Sequence, residues 1–169
     1  MNSLNPNRMR AKELVSLLPG IHLRELQRLL DASFNTTRYH VYNLEKDGEV
    51  VCAKQGGYFR LFPAGFDAGS VGLYSVLHNG TTRQVLRALL DGGPLANGAI
   101  SEATGLPRST VSEHVEALCQ TDLVGRSAVL GGGANYQVRD PARVRDALAL
   151  FERNLLTVAA DSFADLWEF

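Results

Sequence analysis

Apolar positions recur along the first sixty or so residues in a fixed order. Ala11, Leu14, Val15 and Leu18 form a stripe at helical spacing that ends at Pro19-Gly20, Leu23, Leu26 and Leu30 form a second, and Thr37, Val41 and Leu44 a third. The period then changes. "VVCAK" and "YFRLF" are β-branched and aromatic runs separated by "QGG", which predicts two strands joined by a hairpin whose glycines supply the positive φ of the turn.

The same order returns further along. Val85, Leu86, Leu89 and Leu90, then Ala99, Ile100 and Ala103, then Val111, Val115 and Leu118 predict three more helices, followed by a longer hairpin from Val124 to Val138. Set against itself at an offset of 74, the chain places His40 on His114, Val41 on Val115, Leu44 on Leu118, Thr36 on Thr110, Leu26 on Ile100, Ile21 on Leu95 and Val50 on Val124. Tyr58 and Tyr136 each precede a proline, Pro63 and Pro141, by five residues, which predicts that the second hairpin loop is longer by four. Two copies make two similar small domains, since a solenoid needs three or more repeats.

Each copy spells three helices and a hairpin, the order of a winged helix-turn-helix. The stretch "GIHLRELQRLLDASFNTTRYHVYNLEKDGEVV" resembles the winged-helix transcriptional regulators, particularly the double winged-helix proteins common in archaea, through a G-(I/V)-x-x-x-(E/D)-(L/I) helix ahead of an S-x-x-T-V-x-x-H-(L/V)-x-x-L-x-x-x-G-(L/V)-(V/I) recognition helix and strand. "AISEATGLPRSTVSEHVEALCQTDLV" is similar to the same template, and the two matches span residues 8–138. Thr37 departs from the usual apolar residue, and Glu49 and Asp122 from the usual Leu and Gly after the helix, which predicts looser packing there. The expected fold is mainly α with small β-hairpins: a first winged helix-turn-helix domain over 1–65, a connector over 66–78 forming a brief helix against the second unit, a second winged domain over 79–140 and a long C-terminal helix over 141–169.

The resemblance implies a sequence-specific regulator that binds double-stranded DNA, with a recognition helix in the major groove and the hairpin on phosphates. On the first recognition helix Asn35, Thr36, Arg38, Tyr39, Tyr42 and Asn43 avoid the apolar stripe, and Asn35, Thr36, Arg38, Tyr39 and Asn43 carry groups that suit base edges or phosphates. His40, beside the stripe, is read either as a further contact or as a structural histidine. Lys54 and Arg60 flank the tight hairpin turn as a phosphate clamp. The second helix offers Arg108, Ser109, Thr110 and Ser112 but also Glu113 and Glu116, and carboxylates near phosphates oppose binding. The first copy is therefore expected to dominate. The alternative is a winged-helix protein–protein adaptor in a transcription or chromosome-organising assembly.

Charge agrees with that asymmetry. Residues 1–65 hold nine Lys/Arg against six Asp/Glu, and residues 66–169 eight against twelve, so a polyanion would meet the first half. His22, His40, His78, His114, Cys52 and Cys119 lack the close spacing of a zinc site, and "GGGAN" lacks the Lys-Ser/Thr of a phosphate-binding loop. Neither metal nor cofactor is expected, and the chain offers no Ser/His/Asp set or carboxylate pair to nominate an enzyme. The start "MNSLNPNRMRAKEL" has no signal-peptide core and no apolar run approaches a membrane span, so a cytoplasmic protein without membrane contact is expected. After Asp140-Pro141, the residues Val144, Leu148, Phe151, Leu155 and Val158 alternate spacings of four and three, with Phe163 and Trp167 beyond. That seam predicts a homodimer helix.

Overall fold

The computed structural model describes residues 5–55 and 57–165 and is mostly helical with two small antiparallel sheets. The first copy runs α1 (Pro6–Leu17), β1 (Ile21–His22), α2 (Leu23–Leu30), α3 (Phe34–Lys46), β2 (Val50–Gln55) and β3 (Tyr58–Pro63). A single 3-10 turn at Ala68–Ser70 leads into α4 (Val71–Leu77). The second copy runs α5 (Gly80–Gly92), β4 (Leu95–Ala96), α6 (Asn97–Thr104), α7 (Arg108–Gln120), β5 (Val124–Ala128) and β6 (Ala134–Val138), and α8 (Pro141–Asp165) follows it. No helix of the described residues is long and apolar enough to cross a membrane.

The expected stripes form the cores. Ala11, Leu14, Val15, Leu26, Val41, Leu44, Val50 and Leu61 are buried in the first copy, and Val85, Leu86, Leu89, Ile100, Val111, Val115, Leu118 and Val124 in the second. Each large apolar side chain so buried contributes about 1.5–3 kcal/mol. Caps set the helix starts: the Asn5 side chain accepts from Asn7 and Arg8, Ser33 from Thr36, and Asn79 from Thr82. Thr37 brings no looseness, because it is fully buried with its hydroxyl donating to the Ser33 carbonyl at 3.0 Å.

The two copies superpose in sequence at the predicted offset as far as the first hairpin strand. The left-handed positions coincide too: Asp31 (φ 47°) answers Gly105 (φ 72°), and Asp122 (φ 59°) answers Gly48 (φ 69°). Aspartate tolerates this region at modest cost, so it can stand where glycine stands in the other copy. The returning strand corrects the sequence reading. Val50 pairs with Pro63 and Val124 with Val138, so the second hairpin is longer by one residue, not four. Leu61, not Tyr58, therefore corresponds to Tyr136, and both face the opening strand of their sheet, Ile21 and Leu95 respectively.

The compact units also divide elsewhere than at the expected boundaries. The first comprises the residues up to Ser75 together with those from Leu150 onward, and the second comprises Val76–Ala149. The connector belongs largely to the first because its rings join that core: Phe62 meets Phe66 at 5.0 Å and Phe66 meets Tyr74 edge-on at 5.2 Å. The rear of α8 joins it through Asn154, which donates to the Leu17 carbonyl at 2.9 Å, and through Asp161, 3.4 Å from Arg10.

This changes the reading of the α8 seam. Val144, Leu148, Phe151 and Val158 are buried within the single chain and Leu155 is half-buried. An apolar stripe occupied in this way is not a free dimer surface. Trp167 lies outside the described residues, as does the side chain of Phe163.

Candidate nucleic-acid interface

α3 is held by its stripe and by a polar cluster that the periodicity does not reveal. Arg8, buried on α1, ion-pairs with Asp47 just past the end of α3 and donates to the Asn43 carbonyl at 3.4 Å. His40 is buried beside it, and its Nδ1 has no hydrogen-bond partner among the described residues. At the matching place in the second copy, Thr82 stands for Arg8, and its hydroxyl lies 2.9 Å from Nδ1 of His114. His40 is thus a core group and not a groove contact. The sequence signal for Arg8 was its place three residues ahead of Ala11 and seven ahead of Val15, on the buried face of α1.

Burial lowers the pKa of His40, and the Arg8 charge lowers it further, so the imidazole is held neutral. The sign of the consequence follows. In the unfolded chain the ring titrates near its ordinary value of about 6.5 and binds more protons than in the fold, so stability is fully present above that pH and is lost as pH falls through it. The unfolding midpoint in urea should therefore drop between about pH 7.5 and pH 5.5, and His40→Gln should flatten that dependence. An unchanged pH slope in the variant would rule out His40 as its source.

The remaining predicted residues separate clearly. Asn35, Thr36, Arg38 and Tyr39 are exposed on α3. Thr36 shares a 2.8 Å hydrogen bond with the capping Ser33, and Asn43, half-buried, donates to the Tyr39 carbonyl at 2.8 Å. Arg38 and Lys54 are exposed and make no ion pair among the described residues. Arg60 is not a clamp: it donates to the Gly20 carbonyl at 2.8 Å, fastening the hairpin to the loop after α1. Burial lowers its pKa, an effect that Glu25 opposes.

In the second copy, Arg108, Ser109 and Ser112 are exposed, and part of the reading face also contacts its own domain. Asn97 donates to the Ser112 hydroxyl at 2.7 Å and to the Arg108 carbonyl at 3.3 Å. The Arg108 guanidinium lies back over α6, so close that a side chain on Gly98 would meet it at 3.1 Å. Ser109 is exposed and Thr110 half-buried. On the second hairpin, Arg139 pairs with Asp122 at 3.0 Å, and the tip carries Leu130, fully exposed, ahead of three glycines.

Between α3 and the first hairpin runs a groove of about 600 Å³, lined in part by Arg38, Tyr39, Tyr42, Cys52 and Phe59. Burial and Glu45 push the Cys52 thiol up, away from thiolate chemistry. The described residues contain no group of three or more His, Cys, Asp or Glu that could hold a metal ion.

A family model described as an N-terminal HTH domain matches residues 5–70, and one described as winged helix-turn-helix DNA-binding matches residues 78–124. This chain is a tandem winged helix-turn-helix protein. No curated protein sequence matches it. Among solved structures, it is similar to BpsR of Bordetella bronchiseptica, whose DNA binding is regulated by 6-hydroxynicotinic acid (20% identity, 47% of this chain and 64% of that one, TM-score 0.42). The chain thus spans less than two thirds of BpsR. It is also similar to the PcaV transcriptional regulator of Streptomyces coelicolor (26%, 53% and 70%, TM-score 0.42). A third is the homodimeric winged helix-turn-helix DNA-binding domain of Mb0332 from Mycobacterium bovis (28%, 60% and 86%, TM-score 0.41). With TM-scores under 0.5, none of these fixes the architecture of the tandem protein.

Proposed function

We propose that the tandem protein is a cytoplasmic transcriptional regulator that binds double-stranded DNA in a sequence-specific manner, reading it with α3. The observation that carries this is an exposed Arg38, without an ion pair among the described residues, between Asn35 and Tyr39 on a capped, firmly packed helix, with Lys54 on the adjacent hairpin strand. A guanidinium so placed suits a guanine edge or a phosphate, and Lys54 suits the phosphate backbone. The second domain contributes less, because Ser112 is already hydrogen-bonded and Glu113 and Glu116 are exposed beside it. Two copies of the chain on a two-fold axis would read inverted half-sites. Leu150 and Leu156, not the buried seam, are the large apolar residues of α8 left exposed for such a contact among the described residues.

Selection from random duplexes tests the reading. It should enrich one sequence, and binding to that sequence should weaken steeply with added salt as bound phosphates release counterions. Absence of enrichment together with no duplex binding at about 50 mM salt would defeat it.

A further inference from the structure

Three of the five exposed aromatic residues among the described residues line one groove, while Phe34 and Tyr58 do not. Tyr39, Tyr42 and Phe59 are 55%, 63% and 66% exposed, and all three line the groove between α3 and the first hairpin. Phe59 stands opposite Lys54 across the β2–β3 ladder, so ring and ammonium share one face of the sheet. Arg38 lies along the same groove. Large rings left in water on a folded domain mark a surface that another molecule covers.

The repeat supplies an internal comparison. At the corresponding places of the second copy stand Glu113 for Tyr39, Glu116 for Tyr42 and Ala134 for Phe59, while Ser112 replaces Arg38 and Ala128 replaces Lys54. The second domain keeps the same order of elements and the same ladder without any of these rings or cations. The fold therefore does not require them, and the second copy carries a different set there, with Arg126 at the place of Cys52 and Tyr136 at the place of Leu61.

We propose that this groove binds unpaired nucleotides of DNA, with bases stacked on Tyr42, Phe59 and Tyr39 and phosphates held by Arg38 and Lys54. In a paired duplex the faces of the bases are covered by their neighbours and only edges reach the grooves, so flat rings find little to stack on. An unpaired base offers its face, and stacking on an aromatic side chain tolerates any sequence. Glu45 is the one carboxylate lining the groove among the described residues; Arg38 lines it too, and Lys54 adds a second positive charge beside it, opposite Phe59. The site would hold a melted or distorted segment next to a sequence read by α3. It rests on the duplex-binding reading only in sharing Arg38 and Lys54.

Fluorescence anisotropy on the full chain tests this with three probes at low salt: a short duplex, the same duplex with a central run of mismatched bases, and an oligothymidine strand. The mismatched duplex should bind about 10-fold tighter than the paired one or better, and Tyr42→Ala and Phe59→Ala should each weaken its binding about 5- to 100-fold and erase the preference. Tyr42→Phe should keep it, since stacking needs the ring and not the hydroxyl. Both positions are exposed, so thermal melting of the variants should match that of the parent. Equal affinity for paired and mismatched probes, or a preference that survives both alanine variants, would overturn the proposal. So would light scattering that shows these variants converting a dimer into monomers, because the rings would then be a protein interface. A chain that binds the mismatched and single-stranded probes but no paired duplex would support this site while defeating the duplex-reading function.

Discussion

Phe151→Ala is expected to lower the unfolding free energy by about 3–5 kcal/mol, read as a shift of the urea midpoint at constant slope. Phe151 is 1% exposed within the single chain, so truncation leaves a cavity with no partner subunit involved. Leu156→Ala on the same helix should change stability by less than about 0.5 kcal/mol, because that side chain is 73% exposed. Leu148→Glu should unfold the protein rather than release a folded monomer, since it forces a carboxylate into a buried position. The loss caused by Phe151→Ala should be the same at every protein concentration, as it would not be if the seam joined two copies. A folded Leu148→Glu chain of unchanged stability, or a Phe151→Ala effect that grows on dilution, would return the seam to the role of a dimer interface.

Arg38→Ala is expected to weaken binding to a selected duplex by about 1–3 kcal/mol, whereas Arg108→Ala should cost distinctly less. Both residues are exposed, and the difference comes from their surroundings: the Arg108 guanidinium lies against Gly98 of α6 and shares α7 with the exposed Glu113 and Glu116. Titration across salt concentrations distinguishes what Arg38 touches. If its guanidinium holds a phosphate, the alanine variant should show a salt slope smaller by about 1; if it reads a base edge, the variant should relax preference at one position instead. Equal weakening by the two substitutions would contradict a dominant first domain.

The second recognition helix shows how far side-chain type alone could go. Its Glu113 and Glu116 already marked it as the weaker reader of a polyanion, and that followed from charge without any geometry. That Asn97 would occupy Ser112, and that Arg60 would be used up on Gly20, did not follow, because each depends on a partner in another element. Tyr42 was legible as a residue off the apolar stripe, but Phe59 passed unremarked for the same reason. A tyrosine on a helix and a phenylalanine on a strand look ordinary until the hairpin folds beside α3 and puts both on one groove.

By itself the sequence determined the helices, the hairpins, the repeat at offset 74 and the three-helix-plus-hairpin order, because periodicity, caps and turn residues act within a few positions of one another. Asp31 and Asp122 did not disturb that pattern, since the left-handed position they fill is a local backbone matter. Only the tertiary structure decided what covers each stripe and which polar groups meet. The α8 seam reads alike whether a second chain or its own chain faces it, and the bond from Asn154 to Leu17 spans 137 residues. Strand register is likewise a relation between two segments: the matching Tyr–Pro spacings suggested four extra residues, and pairing of Val124 with Val138 left room for one. His40 shows the limit most plainly. It and His114 are equivalent in the repeat, yet with Arg8 in place of Thr82 the first imidazole is buried with no Nδ1 partner among the described residues, while the second has a hydroxyl beside it.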